Sequence, residues 1–158
     1  MADRDTEFML EALELARQGI KQGHGGPFGA VVVQDNKIVG RGWNQVIHLN
    51  DPTAHAEMQA IREACQSLKT YHLSGAILYT TCQPCPMCLS AAYWAHITRL
   101  VYAANAQDAA AIGFDDQRIE EELKRPRDQR LLPSRQILKE ASLKLFAQWQ
   151  KSAKRIDY

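Results

Sequence analysis

Asn50-Asp51-Pro52-Thr53-Ala54-His55-Ala56-Glu57 and, 27 residues after that glutamate, Pro84-Cys85-Pro86-Met87-Cys88 decide how this chain is read. Each cluster stands where a helix should begin, one behind the capping candidates Asp51 and Thr53, the other at Pro86. Residues two apart on a regular helix point about 200° apart, so His55 and Glu57 share no lateral face. They converge only in a first turn aimed end-on at a common point. Cys85 and Cys88, three apart, do share a face, again in a first turn. Two helix N-termini would then meet, and their partial positive charge favours thiolates and a developing oxyanion.

One imidazole and two thiolates make a tetrahedral zinc donor set with its fourth corner open, an arrangement that can hold a water molecule and activate it. His55, Cys85 and Cys88 are therefore the expected metal ligands. Glu57, not a ligand, is the expected general base. Cys82 is an alternative fourth donor: Cys82, Cys85 and Cys88 are evenly spaced and with His55 would close a purely structural site. Its position after a strand rather than on the helix, and the idle Glu57 that such a site would leave, weigh against it. Cys65, at a buried helical position, reads as core packing.

Working outward, the periodicity predicts a helix over 5–22, ended by Gly23, and a hairpin of 28–33 and 38–44 around a turn at 34–37. A helix capped by Thr53 or Asp51 runs to about Lys69, with Met58, Ile61, Cys65 and Leu68 inward. Ala76–Thr80 is a strand, Pro86 opens a helix to about Ala95, and Leu100–Ala103 is another strand. Short helices follow at 107–111 and 116–123, then a charged linker at 124–133, a last strand at 135–139 and a last helix at 142–155. The sum is an α/β fold, a three-layer α/β/α sandwich around a mixed five-stranded sheet. A core of residues 1–123 carries a C-terminal extension, 124–158, of linker, strand and lid helix.

The 158 residues make one domain-sized chain, with 46% hydrophobic and 23% charged residues, ordinary for a globular protein. No apolar run approaches the roughly 18 residues of a membrane span. The first residues do not read as a signal peptide, and two cysteines must stay reduced, so a cytoplasmic location and no membrane partner are expected. The net charge of +1 conceals a split: residues 124–155 hold 10 Lys or Arg against two acids, while 1–123 hold 9 against 15. A basic tail suits nucleic acid, an acidic partner surface, or a plain solvated helix.

His-x-Glu followed by Pro-Cys-x-x-Cys is the signature of zinc nucleobase deaminases, and the chain resembles the cytidine deaminase superfamily, within it the bacterial guanine deaminases. The likeness extends to Gly25-Gly26-Pro27-Phe28-Gly29-Ala30, Tyr93-Trp94-Ala95, Gly113-Phe114-Asp115-Asp116 and an aromatic tail with Trp149 and Tyr158. The resemblance implies zinc-dependent hydrolysis of guanine to xanthine and ammonia in purine catabolism or salvage. It implies Glu57 and Asp116 as proton carriers, Asn44 and the Ala56 N–H as ring-edge contacts, and Phe28 and Trp94 as aromatic walls. Asp115 is a second candidate beside Asp116, and Tyr158 would close the pocket. It also implies a homodimer that exchanges its C-terminal segments. Gln83 departs from the pattern, since an acidic residue commonly precedes that proline.

Guanosine or an aminated triazine would suit the same site. tRNA adenosine deaminases share Asp-Pro-Thr-Ala-His-Ala-Glu, but a flipped base in RNA needs an open basic rim, and the Gly113–Asp116 segment with an aromatic tail suits an enclosed free base. A zinc-stabilised interaction module is the non-enzymatic alternative.

Overall fold

Residues Ala30–Val33 and Leu78–Thr80 are almost wholly buried and form the two central strands of a mixed sheet. In the computed structural model, which describes residues 3–158, the strands are β1 (Gly29–Gln34), β2 (Lys37–Trp43), β3 (Ile77–Cys82) and β4 (Arg99–Ala104). Their order is β2-β1-β3-β4, antiparallel except for the β3–β4 pair. Near-continuous apolar runs on β1 and β3 follow from covering both faces. On one face α1 (Arg4–Gln22) packs Leu15, Phe8 and Met9 against Val31, Val33 and Tyr79. On the other, α3 (Ala56–Leu68) and α4 (Pro86–Trp94) pack against Ala30, Val32 and Leu78. The one-turn helix α2 (Val46–Leu49) lies between β2 and α3.

These elements, with α5 (Ala106–Ala111), belong to a first unit, Met1–Arg118; the second is Ile119–Tyr158. α6 (Gln117–Lys124) spans the division, and α7 (Lys139–Gln150) lies in the second unit. Among the described residues the sheet has four strands, not five. Residues 133–138 take no regular structure, and Leu138 turns left-handed (φ 52°) as α7 begins. Among the described residues the second unit contains no other strand, so 135–139 has no partner there for its backbone groups. The last helix accordingly starts at Lys139 and stops at Gln150.

A second correction concerns α3. Its buried side is Ala56, Ala60, Ile61 and Ala64 rather than Met58, Cys65 and Leu68. Gly40 and Gly42 on β2 explain this: a Cβ on Gly40 would lie 2.2 Å from the Ala60 carbonyl oxygen, and one on Gly42 2.1 Å from that of Ala56. Helix and strand backbones touch, and only alanine-sized side chains fit the seam.

The start of α1 is tied to the sheet by Asp5, which accepts from the Tyr79 hydroxyl at 2.6 Å and pairs with Arg99 at 2.6 Å. The Tyr79 bond, opposed by burial and helped by Arg99, holds the Asp5 carboxyl below its usual range. A depressed carboxyl pKa contributes stability that is present above the unfolded-state value and disappears as pH falls through the folded one. Asp5→Asn should therefore lower Tm at pH 7, with a deficit that shrinks below pH 4. Melting curves at pH 7 and pH 3 check this, and an equal deficit at both would contradict it.

Candidate metal centre and substrate cavity

Asp51 accounts for the placement of His55. Its Oδ1 accepts from the Thr53 N–H at 2.8 Å and from the Thr53 hydroxyl at 2.7 Å, closing a tight turn ahead of the helix. Neither Asp51 nor Thr53 then caps α3. The extended residue at the helix entry is His55 itself, which puts Glu57 in the first turn. Cys85 occupies the same entry position on α4, with Pro86 as first helical residue and Cys88 in the first turn. The seam of α3 on Gly42 and the burial of Ala92 on α4 aim both N-termini at one point.

There the His55 Nδ1 lies 3.6 Å from Cys85 Sγ and 3.5 Å from Cys88 Sγ, and the three donor atoms fall within 4.8 Å of one another. Tetrahedral zinc with Zn–S about 2.3 Å and Zn–N about 2.05 Å requires N···S edges of roughly 3.6 Å. The residues fit zinc, with Nδ1 as the imidazole donor.

Cys82 stands apart from this cluster. Burial, with the charges of Glu57 and Asp116, pushes its thiol up, and the thiol contacts the Asn105 carbonyl oxygen at 3.6 Å as a donor. The other two cysteines form a coupled pair. Cys85 is drawn down to about 4, first by the hydrogen bond from Cys88 and then by His55, while that bond and burial drive Cys88 upward. The hydrogen bond with Cys85, against burial, raises His55 in turn. A divalent cation takes both sulfurs as thiolates and the imidazole in its neutral form. Zinc added to metal-free protein at a thousandfold excess over Kd should stabilise by about 4 kcal/mol, roughly 10 °C in Tm for a chain of this size. Calorimetry checks it, and Cys88→Ala should show no such rise.

Glu57 is only 6% exposed. Burial raises its carboxyl, opposed by a bond from its own backbone N–H, while the neighbouring Cys85 thiolate raises it further. A carboxylate lifted toward neutrality beside a metal donor set is a proton acceptor.

The donors open into a cavity of about 460 Å³, in the range of small-molecule sites. Asn44, Phe28 and Asp116 line it together with Glu57 and His55. Asn44, 5% exposed, accepts from the Val46 N–H at 3.2 Å through Oδ1, and Gly25 leaves room for that side chain, since a Cβ there would sit 2.1 Å from Oδ1. Ala56, fully buried, is the first residue of α3, where a backbone N–H has no intrahelical acceptor.

Asp115 is exposed and outside the lining, so of the two aspartates it is Asp116 that faces the cavity. Trp94 does not wall the cavity of its own chain: it ends α4, about 13 Å along the axis from the Cys85 end, and is 69% exposed. Tyr158 lies in the second unit, 78% exposed. Phe114 is a wall that sequence reasoning missed as a site residue, packed edge-on against Phe28 with ring centres 4.8 Å apart. Ile47, Cys82 and Gln83 also line the cavity. The adjacency of Phe114 to Asp116 was the available signal for it.

Two helix N-termini, a zinc donor set and a buried carboxylate define a hydrolytic metal site, and residues 2–104 match the family described as the cytidine and deoxycytidylate deaminase zinc-binding region. The chain belongs to that family. It is 47% identical over 151 residues to the guanine deaminase of Bacillus subtilis, covering 96% of this chain and 97% of that one. The crystal structure of the Bacillus subtilis guanine deaminase superposes with a TM-score of 0.93 at 46% identity, over 97% of this chain and 98% of that one. A guanine deaminase from Nitrosomonas europaea matches at a TM-score of 0.67 and 35% identity, over 73% and 66%. A tRNA-specific adenosine deaminase of Haemophilus influenzae is 37% identical, over 97% of this chain and 88% of that one.

Proposed function

We infer that the protein is a zinc-dependent aminohydrolase converting guanine and water to xanthine and ammonia. The observation that carries this is Glu57, buried beside the His55-Cys85-Cys88 cluster at a cavity walled by Phe28 and Phe114. Likeness to a guanine deaminase along nearly the whole chain supports guanine over a base held in tRNA.

Bound zinc supplies a Lewis acid that lowers the pKa of water. Glu57 takes one proton from the attacking water and passes it to the ring nitrogen beside the reacting carbon, where it stays. It then takes the second from the added hydroxyl for the departing amine, as the C–N bond breaks and the carbonyl forms. Asp116 accepts a hydrogen bond from that amine and carries the second proton. The Asn44 amide and the Ala56 N–H hold the ring edge, with the Phe28–Phe114 pair as an aromatic wall beside it. Stacking and edge contacts fix the reacting carbon, and exclusion of solvent from the cavity strengthens each polar contact.

Two copies pair as a homodimer by exchanging residues 124–158, with Tyr158 closing the partner copy's cavity. The second unit supports this by its exposed apolar side chains, among them Leu132 (82%), Leu138 (76%) and Phe146 (62%). A solution mass of one 17.8 kDa chain would remove the pairing. No helix among the described residues is long and apolar enough to cross a membrane.

The test of function is ammonia release by zinc-loaded protein on guanine, guanosine, adenine and a tRNA anticodon stem-loop. Turnover of guanine with negligible turnover of the stem-loop is expected. The reverse ranking would overturn the reading.

A further inference from the structure

Gly26 precedes the Pro27-Phe28 pair, and its carbonyl accepts from the Phe28 N–H at 2.9 Å. That bond closes a three-residue turn whose central position suits the fixed φ of Pro27. The turn folds the Phe28 ring back over the glycine. A Cβ on Gly26 would lie 2.9 Å from Cε2 of that ring and 2.8 Å from Cζ of Phe114. The tips of both wall residues thus rest on one bare Cα. Gly26 is not among the left-handed glycines, which are Gly23, Gly75 and Gly113, so alanine meets no backbone strain there. It would meet two ring tips instead.

Phe114 is held from its other end by α5. The Gly113 N–H donates to the Ala110 carbonyl and the Phe114 N–H to the Ala109 carbonyl, each at 3.0 Å, with Gly113 left-handed at φ 97°. This is the Schellman ending of a helix. Asp116 follows two residues after Phe114, just before α6 begins at Gln117. Two residues span at most roughly 7 Å, so the seat of the Phe114 ring bears directly on where Asp116 joins the cavity lining.

We propose that Gly26 is a positioning residue: lacking a side chain, it seats the Phe114 ring, and through that ring it places Asp116, which carries the second proton to the departing amine. The proposal rests on the guanine deaminase reading and names what aligns that carboxylate. Carbon atoms pack best at about 3.5–4.0 Å, so a methyl on Gly26 must drive the Phe114 tip back by roughly 0.7 Å or more. The Phe28 ring, edge-on at 4.8 Å and pushed by the same methyl, bars a sideways escape. The displacement passes into the backbone, where Gly113 has nothing within 4 Å of a Cβ and offers the pivot.

The experiment is steady-state kcat and KM on guanine for zinc-loaded parent, Gly26→Ala, Phe114→Leu and the double variant, with Tm and zinc content measured alongside. Gly26→Ala should lower kcat by about tenfold or more, as misplacement of a reacting group does. Tm and zinc content should stay at the parent level, because ring tips and a free loop give way rather than the packed sheet. Leucine has no atom at the Cζ position, so adding Phe114→Leu should restore kcat by roughly fivefold over Gly26→Ala, a coupling that independent sites do not show. Losses that simply multiply in the double variant overturn the proposal. A Gly26→Ala loss carried wholly by KM also overturns it, since the glycine would then shape the wall alone. A joint fall of Tm and zinc does the same, since the glycine would then support the fold. A parent inactive on guanine overturns the guanine deaminase reading and this inference with it. A parent active on guanine with a Gly26→Ala kcat within about twofold overturns this inference alone.

Discussion

Glu57→Gln is expected to lower kcat for guanine by about 10² to 10⁴, the range attached to a positioned acid or base, while zinc content stays at the parent level. The side chain is 6% exposed and lies beside His55, Cys85 and Cys88 without belonging to the donor cluster. Gln has the same shape, so the cavity is preserved, but it accepts no proton at neutral pH. Burying a carboxylate is costly and burying an amide less so. The variant should therefore melt at or above the parent temperature. This separates a catalytic carboxylate from a structural one, whose loss would lower Tm and metal content together. Initial rates of ammonia release, elemental analysis and a melting curve on one preparation suffice. A kcat within tenfold of the parent would remove Glu57 from the chemistry.

Gly42→Ala should act from the opposite side of α3 and do comparable damage. The added methyl would sit 2.1 Å from the Ala56 carbonyl and 2.5 Å from the Ala60 nitrogen, and both are backbone atoms with no rotamer to escape into. The helix must lift from β2. Overpacking of this kind costs typically about 1–3 kcal/mol, and here the displaced end of α3 carries His55 and Glu57. Misplacement by about 1 Å can cost roughly 100-fold in rate. The expected outcome is a lowered Tm with guanine kcat/KM reduced at least tenfold. A variant with parental Tm and activity would show that the seam does not position the site. Gly23→Ala is the contrasting substitution, because nothing lies within 4 Å of a Cβ there and the cost is its left-handed φ of 67°.

The order of elements through β4 was legible because each signal is local: three-and-four spacing in α1, β-branched residues in β1, Pro86 at the start of α4. The donor set was legible for the same reason, since ligand types and spacings are sequence properties. The cap of α3 was not. Asp51 and Thr53 are good caps by type, yet they bond to each other, and only the closed turn reveals that His55 is the entry residue. The seam of α3 was hidden because alanines facing Gly40 and Gly42 give a weaker hydrophobic signal than Met58 or Leu68, although close backbone approach favours them. Residues 135–139 have local strand character but no pairing partner in their own unit, and pairing is a tertiary property. Phe114 and Gln83 line the cavity through loop geometry that no periodicity encodes.

Position selects the sulfur donors: Cys88 is driven upward as Cys82 is, yet only Cys88 belongs to the donor cluster. Cys82, whose thiol burial pushes up and which contacts the Asn105 carbonyl, stays out of the cluster while lining the same cavity. The most direct measurement is zinc K-edge absorption spectroscopy on the protein loaded with one equivalent of metal. Two sulfur scatterers and one imidazole are the result this account predicts; a third sulfur at the metal would contradict it.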